Sequence, residues 1–262
     1  MKRIGLEELL VKDKNIIEKY VDYLASWIAQ KVKDAKCYGV VYGISGGIDS
    51  AVVSLICKRA FEKDSLGIIM PIDSMAHEQK DIQALIKEHQ LNTKTVELNQ
   101  VFSTLEKNLN LKNKLALSNI KPRLRMTTLY ALAQELNYLV VGTDNEDEHH
   151  IGYFTKYGDG GVDILPIVNL LKKEVRMIAK YLNVPESIIN KKPSAGLWEG
   201  QSDEDELGFT YNDLDNFLCM DYDKINTNIK AKIEKMHLNS EHKRNTPTKP
   251  MTIEQFYSSK QN

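Results

Sequence analysis

Residues 43–50, which read GISGGIDS, combine paired glycines, hydroxyls and one carboxylate in a way that suits phosphate binding. Paired glycines let the backbone approach an anion closely, and a helix beginning there would offer unpaired N–H groups and a positive dipole end. Ser45 and Ser50 add hydroxyl donors. Asp49 would repel phosphate unless a divalent cation lay between them, and Mg²⁺ accepts carboxylates together with phosphate oxygens. The alternative is an ordinary capped turn, but adjacent glycines followed by Asp-Ser exceed what a cap requires, so we favour a phosphate loop.

A second candidate ligand-binding segment, residues 142–148 (GTDNEDE), contains four carboxylates within five residues. It follows directly on an apolar run, so we expect a loop at the ligand-binding edge of a sheet, where one or two carboxylates help to bind Mg²⁺. For the other carboxylates, a solvated acidic loop is the simpler interpretation. The adjacent His149 and His150 resemble a metal-binding pair, but neighbouring side chains diverge in direction, which favours surface or interface histidines.

Three further segments carry more charge or glycine than simple connections need. Residues 153–163 join aromatic side chains to a lysine and three glycines. Residues 119–126 would open a helix with three cations, where the helix dipole prefers acids. An anionic ligand would explain those cations, although exposed cations at a helix start are common. Residues 192–207 form a long acidic loop around Trp198, with Gly196 and Gly200 as pivots, which we expect to close over the site as a lid.

The apolar pattern predicts the elements that would position these segments. Buried strands are expected in four apolar runs, residues 38–44, 66–72, 93–98 and 138–142. Helical periodicity falls in residues 17–28, 50–61, 77–89, 129–136 and 171–182. Alternating strands and helices of this length indicate crossover units and a doubly wound, mostly parallel α/β sheet flanked by helices. In such a sheet ligands bind outside the carboxyl ends of the strands, where residues 43–50 and 142–148 both fall.

Composition and patterning also restrict the domain organisation, partners and location. No repeat or low-complexity linker is visible, which predicts a single domain over residues 1–262, with residues 221–262 as a C-terminal helix and tail. The formal net charge of −1 argues against a broad nucleic-acid surface. Three cysteines without CxxC spacing indicate reduced thiols and a cytoplasmic protein. No run approaches the ~20 apolar residues that cross a bilayer, so no membrane partner is expected.

The segment Ser45–Ser50 resembles the pyrophosphate loop of the ATP pyrophosphatase superfamily, whose members adenylate a carbonyl or carboxyl oxygen. That loop alone does not separate the branches of the superfamily. Five further segments resemble the NAD synthetase family, in a likeness that covers residues 10–250: NIKPRLRM, GTDNEDE, GYFTKYGDGGVDILPI, KKPSAGLWEGQSDEDELG and His242-Lys243-Arg244. The resemblance implies an adenine nucleotide alpha hydrolase-like fold. It also implies an ammonia-dependent enzyme that uses ATP to convert deamido-NAD (nicotinic acid adenine dinucleotide) to NAD through an adenylated carboxylate.

The resemblance further implies roles for individual residues. ATP would be contacted by Gly43, Ile44, Ser45, Gly46, Gly47, Ile48, Asp49, Ser50, Thr143, Lys172 and Ser194. Deamido-NAD would be contacted by Arg123, Lys156, Asp163, His242 and Lys243, in a homodimer. Asp49 and Glu148 would be the Mg²⁺ ligands, and Asp49 and Lys172 are the residues expected to act in catalysis.

Two other functions stay open from the residues alone. One is a different adenylating enzyme of the superfamily, such as a tRNA-modifying one, against which the near-neutral charge and the missing CxxC pair weigh. The other is a regulatory module that binds ATP without turnover, which the number of charged residues near the site disfavours. Because glutamine-dependent family members carry an additional glutaminase domain, for which 262 residues leave no room, free ammonia is the expected nitrogen source.

Overall fold

A parallel sheet forms the centre of the chain, which we describe from a computed structural model that places residues 3–72, 76–194 and 202–260. The strands within these residues are, in chain order, β1 (Gly39–Gly43), β2 (Ser65–Ile69), β3 (Thr93–Thr95) and β4 (Tyr138–Val141). They lie side by side in the order β3-β2-β1-β4, and every neighbouring pair is parallel. The predicted parallel α/β sheet is therefore confirmed, with β1 and β4 adjacent.

Helices fill the connections between the strands and the C-terminal region. The α-helices of the described residues are, in chain order, α1 (Leu6–Lys12), α2 (Ile16–Asp34), α3 (Ile48–Ala60), α4 (Ala76–His89), α5 (Asn99–Leu109), α6 (Lys114–Ser118), α7 (Ile120–Leu136), α8 (Glu146–Ile151), α9 (Lys172–Tyr181), α10 (Glu186–Ile189), α11 (Asp203–Leu207), α12 (Tyr211–Leu218), α13 (Thr227–Asn239), α14 (Glu241–Arg244) and α15 (Ile253–Ser259). A 3-10 turn, Tyr222–Lys224, separates α12 from α13.

Helices cover both faces of the sheet. On one face, Val40 and Tyr42 of β1 share an apolar cluster with residues of α2, α3 and α9. On the other face, Val41 and Val140 share a cluster with residues of α5 and α7. Successive strand side chains point to opposite faces, so a strand buried on both faces is apolar at every position. This explains the continuous apolar run of β1, and the doubly wound arrangement is confirmed.

A smaller apolar cluster joins α8 to the C-terminal helices. It contains Ile151 of α8, Leu207 of α11, Leu214 of α12 and Ile233 of α13. Each of these side chains is 2% exposed or less, so the four short helices are held together by burial and do not depend on their individual helix propensities. As a result, the acidic first turn of α8 and the first residues of α11 and α12 lie close to one another.

Several predicted elements differ from the structure. The second strand ends at Ile69 and not at Ile72, and Asp203–Leu207, predicted as part of a long loop, forms α11. The third strand ends at Thr95 and not at Leu98, because its partner β2 ends at Ile69, which is paired with Thr95. The acidic segment at 142–148 is not a loop throughout, because Asn145 accepts a hydrogen bond from the backbone N–H of Glu148 and so begins α8. Acidic side chains are favourable in a first helical turn, where they meet the positive end of the helix dipole.

The C-terminal region and the expected lid complete the comparison. The predicted C-terminal helix corresponds to α13, and α15 follows with Ile253 and Phe256 exposed to solvent. Residues 195–201, which hold Gly196, Trp198 and Gly200 of the expected lid, lie outside the described residues. In the described part of the chain, no helix has both the length and the apolar character that a membrane span requires.

Candidate active site

A cavity of about 1060 Å³ opens at the carboxyl ends of β1 and β4, which is the sheet edge where ligands of such folds bind. Many predicted site residues line it: Gly43, Ile44, Ser45, Gly47, Ile48, Asp49, Ser50, Arg123, Thr143, Glu148, Lys156, Lys172, Ser194, His242 and Lys243. Pockets for one small ligand measure about 300–1,000 Å³. The residues predicted for ATP and those predicted for the dinucleotide therefore share one cavity that is large enough for more than one small ligand.

The phosphate loop is shaped by its own serines and one glycine. The Oγ atoms of Ser45 and Ser50 lie 3.0 Å apart, and Ser50 Oγ also donates to the carbonyl of Gly47 at 2.9 Å. Gly46 has a φ of +79°, and a Cβ there would lie 3.1 Å from Cβ of Glu78. Gly47 precedes α3, and no side chain of the described residues caps that helix start. Its first N–H groups are thus available to an anion.

A buried lysine connects the two candidate segments. Lys172, the first residue of α9, places its Nζ 2.6 Å from Oδ2 of Asp49 and 3.0 Å from Oε1 of Glu148. Its side chain is only 4% exposed. Burial alone would lower the pKa of Lys172, but the carboxylates of Asp49 and Glu148 outweigh it and raise that pKa above its usual value. The lysine therefore stays charged at the mouth of the phosphate loop.

Asn145 is a site residue that the sequence reasoning missed. Its Nδ2 donates to Oδ1 of Asp49 at 2.9 Å, while its Oδ1 accepts the N–H of Glu148 at 3.0 Å. The residue is fully buried. One amide thus joins the carboxylate of Asp49 to the backbone of Glu148. An asparagine directly before three acidic residues is a recognisable helix start, and that signal could have found its capping role.

Further buried carboxylates lie near Asp49 and Glu148 in the cavity. Asp144 is 5% exposed, and its Oδ2 finds no hydrogen-bond partner among the described residues. Burial raises the pKa of Asp144 well above its usual range, and the carboxylates of Asp159 and Glu148 raise it further. Burial also raises the pKa values of Glu148 and Asp159. A site with this donor set is suited to hold additional positive charge.

Basic side chains also line part of the cavity wall. Lys243 donates from Nζ to the carbonyls of Gly152 (2.7 Å) and Phe154 (2.8 Å). Lys156 Nζ donates to the carbonyl of His242, and Arg123 donates to the carbonyl of Lys156 at 3.3 Å. The glycine-rich segment after α8, the start of α7 and the C-terminal α14 are thereby joined. We call these four residues, Arg123, Lys156, His242 and Lys243, the basic wall.

Comparison with known proteins agrees with this geometry. The sequence model of NAD synthase matches residues 20–247, most of the chain. The chain belongs to the NAD synthase family. A protein of Mycoplasmopsis pulmonis, named NH(3)-dependent NAD(+) synthetase, is 52% identical over 94% of this chain and 96% of its own length. A protein of Mesoplasma florum with the same name is 49% identical, over 89% of this chain and 97% of its own.

Solved structures of NAD synthase relatives share the fold. NMN synthetase from Francisella tularensis superposes with a TM-score of 0.84 at 37% identity, and covers 90% of this chain and 99% of its own. NH3-dependent NAD synthetase from Campylobacter jejuni, solved with a nitrate ion, has a TM-score of 0.77 at 29% identity, with the same coverage. The parallel sheet and its helices are thus a property of the NAD synthase family.

Two residues predicted for the NAD synthase site adjoin the lining of the cavity without belonging to it. Among the described residues that line the cavity, neither Gly46 nor Asp163 is found. Gly46 serves the shape of the loop. Asp163 accepts the hydroxyl of Tyr130 on Oδ1 at 3.0 Å and the backbone N–H of Val140 on Oδ2 at 2.8 Å. One oxygen of Asp163 thus holds its segment to β4 and the other holds it to Tyr130 of α7.

The same NAD synthase cavity has cations that the sequence reasoning did not assign: Lys121, Arg125, Arg176, Lys191 and Lys192. Arg176 is four residues after Lys172 and so shares its helix face, a spacing that is visible in the sequence. Lys191 lies beside the phosphate loop, where its Nζ is 3.2 Å from Oε1 of Glu78. These side chains add positive charge to the lining of the cavity.

The adjacent histidines pack within the fold. The ring of His150 stacks on His237 of α13 with centroids 4.1 Å apart, and His149 stacks on Phe154 at 5.9 Å. Burial, together with the smaller effect of the neighbouring His237, lowers the pKa of His150 to about 4. Both residues are partly buried, so they fix α8 to its surroundings and are not open surface side chains.

Proposed function

We propose that the chain converts deamido-NAD to NAD with ATP and ammonia, which makes it a carbon–nitrogen ligase of the NAD synthase family. The observation that supports this most strongly is the position of Lys172. Its ammonium lies between Asp49 of the phosphate loop and Glu148 of α8. The cavity beside it is also lined by the basic wall. The two relatives that share about half of its residues, over nearly their whole length, are both named NH(3)-dependent NAD(+) synthetase.

The reaction has two steps. The nicotinate carboxylate attacks the α-phosphorus of ATP, pyrophosphate leaves, and an acyl-adenylate forms. Ammonia then attacks the activated carbonyl carbon, the carbon–oxygen bond to AMP breaks, and a proton is lost. One carboxylate oxygen therefore leaves with AMP. No protein nucleophile is needed, so rate enhancement comes from positioning the reactants and neutralising phosphate charge.

The chain's own groups supply that positioning at the ATP end. Residues 43–50 and the start of α3 hold the phosphates, and Lys172 neutralises charge on them as pyrophosphate leaves. Thr143 and Ser194, which both line the cavity, add hydroxyl contacts to ATP.

Mg²⁺ fits this donor set. Asp49 and Glu148 would hold it, because they are adjacent carboxylates beside a phosphate loop, with the unpartnered Oδ2 of Asp144 in the same cavity. The ion would neutralise phosphate oxygens when bound. Lys172 donates to Oδ2 of Asp49 and Oε1 of Glu148, and Asn145 donates to Oδ1 of Asp49, but each oxygen of Asp49 keeps a second lone pair. No hydrogen bond from the described residues reaches Oε2 of Glu148. That free oxygen is the one we assign to the metal.

The dinucleotide lies against the basic wall. Arg123, Lys156, His242 and Lys243 carry the charge and donors that a pyrophosphate bridge requires. For Asp163 we propose an indirect part, since its two oxygens already accept hydrogen bonds from Tyr130 and Val140.

We also propose a homodimer, a single domain over the chain and a cytoplasmic location. The dimer is supported by exposed apolar side chains beside α7, because Leu109, Leu111 and Leu115 are 39–53% exposed. The cytoplasmic location is supported by the cysteines Cys37, Cys57 and Cys219, which are free thiols.

A mononucleotide is the second candidate substrate, because the Francisella tularensis relative is named an NMN synthetase and is 37% identical. The deciding experiment supplies ATP, Mg²⁺ and ammonia with either deamido-NAD or nicotinic acid mononucleotide, and quantifies the amide and pyrophosphate. We expect equimolar NAD and pyrophosphate, with at least tenfold higher kcat/KM for the dinucleotide. Turnover of the mononucleotide alone would replace the proposed substrate, and turnover of neither would refute the proposed reaction.

A further inference from the structure

Tyr211, the first residue of α12, lies directly behind the catalytic lysine. It is 4% exposed and is not among the described residues that line the cavity. Lys172 Nζ lies 4.8 Å from the centroid of its ring, which is within the range of a cation–π contact. The tyrosine therefore touches the catalytic centre from the side that a substrate does not reach.

The hydroxyl of Tyr211 meets the proposed metal ligand. It lies 3.1 Å from Oε1 of Glu148, the same oxygen that accepts the ammonium of Lys172. Two donors on Oε1 hold the carboxylate in one orientation and direct Oε2 away from both. Hydrogen bonds to a ligating carboxylate orient it for its metal, and their loss costs about 10-fold to 100-fold in metal affinity.

The same hydroxyl also contacts a second carboxylate. Oδ2 of Asp203, the first residue of α11, lies 3.1 Å from it. A phenol has one proton, so it can donate to only one of these two carboxylates at a time. The backbone N–H of Asp203 donates to the carbonyl of Pro193 at 3.1 Å, which places Asp203 next to the segment that carries Ser194. The hydroxyl of Tyr211 thus connects Glu148 to Asp203, which lies next to this part of the cavity wall.

The backbone fixes Tyr211 firmly enough for this role. Thr210 caps α12 in a reciprocal arrangement, because it accepts from the N–H of Asp213 and Asp213 accepts from the N–H of Thr210. The N–H of Tyr211 itself donates to Oε1 of Glu204 at 3.0 Å. A side chain on such an anchored helix start has little freedom to follow a displaced partner.

We propose that Tyr211 is a positioning residue of the ligase. Its ring holds Lys172 beside Asp49 of the phosphate loop, and its hydroxyl orients Glu148 so that Oε2 would be available to Mg²⁺. The inference rests on the proposed Mg²⁺ role of Glu148. A tyrosine that only filled the core would support the fold without affecting how tightly the metal is bound.

The test measures ATP binding by calorimetry, without the dinucleotide, over a series of free Mg²⁺ concentrations that includes a chelated sample. The Tyr211→Phe variant keeps the ring and loses only the hydroxyl. We expect its Mg²⁺ midpoint to rise about 10-fold to 100-fold. Its melting temperature stays close to that of the parent, and high Mg²⁺ restores kcat. The Tyr211→Leu variant also loses the ring, so it binds ATP more weakly than Tyr211→Phe even at saturating Mg²⁺.

Tyr138→Phe is the matched control. Its hydroxyl also donates to a carboxylate at 3.0 Å, that of Asp64, but at the amino end of β4, away from the cavity. We expect parental Mg²⁺ midpoints and parental activity from it.

The outcomes separate this inference from the proposed function. If the parent binds ATP equally with and without Mg²⁺, the proposed metal site is wrong and the role of Tyr211 fails with it. If the parent depends on Mg²⁺ but Tyr211→Phe has the same midpoint, only the hydroxyl's role is wrong. Equal ATP affinity of Tyr211→Leu and Tyr211→Phe at saturating Mg²⁺ would remove the role of the ring.

Discussion

Replacement of Asn145 by alanine removes two separate contributions at once. The side chain caps α8 through its Oδ1, which accepts the N–H of Glu148 at 3.0 Å. Its Nδ2 donates to the carboxylate of Asp49 at 2.9 Å. Because Asn145 is fully buried, water does not readily take over either contact. We therefore expect Asn145→Ala to lower both the free energy of unfolding and the activity.

The size of the effect can be worked out from these contacts. Loss of an asparagine cap costs about 1 kcal/mol. Loss of a hydrogen bond to a charged group costs about 1.5–3 kcal/mol. The total is about 2.5–4 kcal/mol, and in a chain of this size 1 kcal/mol shifts the melting temperature by about 2–4 °C. The variant should thus melt roughly 5–16 °C lower, with a lower kcat because Asp49 has lost one of its two fixed partners.

Two further variants divide the effect. Asn113→Ala removes an exposed cap of the same residue type, in which Oδ1 accepts the N–H of Ala116 at 3.0 Å, so it should cost only about 1 kcal/mol. Asn145→Asp keeps the capping oxygen but sets a carboxylate against Asp49, so the helix start persists while activity falls. Urea unfolding and kcat/KM are measured for each. The reasoning is refuted if Asn145→Ala costs no more stability than Asn113→Ala and leaves kcat/KM unchanged.

Three other substitutions test separate parts of the site. Asp49→Asn should lower Mg²⁺-dependent pyrophosphate release by roughly 100-fold or more with an unchanged circular dichroism spectrum; an active variant contradicts the metal-ligand role. Arg123→Ala should raise the KM for deamido-NAD about tenfold while the KM for ATP changes little, and equal increases would remove Arg123 from the dinucleotide site. The pKa of His150 is lowered to about 4 by burial, so the unfolded chain takes up this proton first and stability is lost as the pH falls from 6.5 to 4. His150→Phe should make that loss shallower, whereas His89→Gln, at a histidine of α4 whose Nε2 lies 3.0 Å from the carbonyl of Asn183, serves as the control; equal slopes for parent and His150→Phe contradict the assignment.

Local patterns were enough to predict the sheet and the phosphate loop. The continuous apolar run of β1 followed by paired glycines fixes a buried strand, a turn and a helix within about twenty neighbouring residues. The position of Asp49 follows from that run alone, because the carboxyl ends of parallel strands meet at one edge. The approach of Glu148 to this loop follows in the same way from β4, which pairs directly with β1.

Contacts between distant segments could not be predicted in this way. Tyr211 and Glu148 are 63 residues apart in the sequence. They come together because α8, α11, α12 and α13 pack on one another. No periodicity in residues 203–218 shows which side chain of α12 points at the lysine. Asp163 gives a second example. Its predicted role at the dinucleotide stays a prediction, and the hydrogen bond that its carboxylate accepts from the backbone N–H of Val140 in β4 depends on a partner that only the folded chain provides.

Transfer of oxygen from the substrate to AMP tests the proposed chemistry most directly. Deamido-NAD with ¹⁸O at both oxygens of its nicotinate carboxylate is incubated with the protein, ATP, Mg²⁺ and ammonia. The masses of the products are then measured by mass spectrometry. Because the carboxylate attacks the α-phosphorus, we expect one ¹⁸O atom in each AMP, one remaining in the amide of NAD, and none in pyrophosphate. Unlabelled AMP, or ¹⁸O in inorganic phosphate with ADP as the nucleotide product, would contradict an adenylated carboxylate.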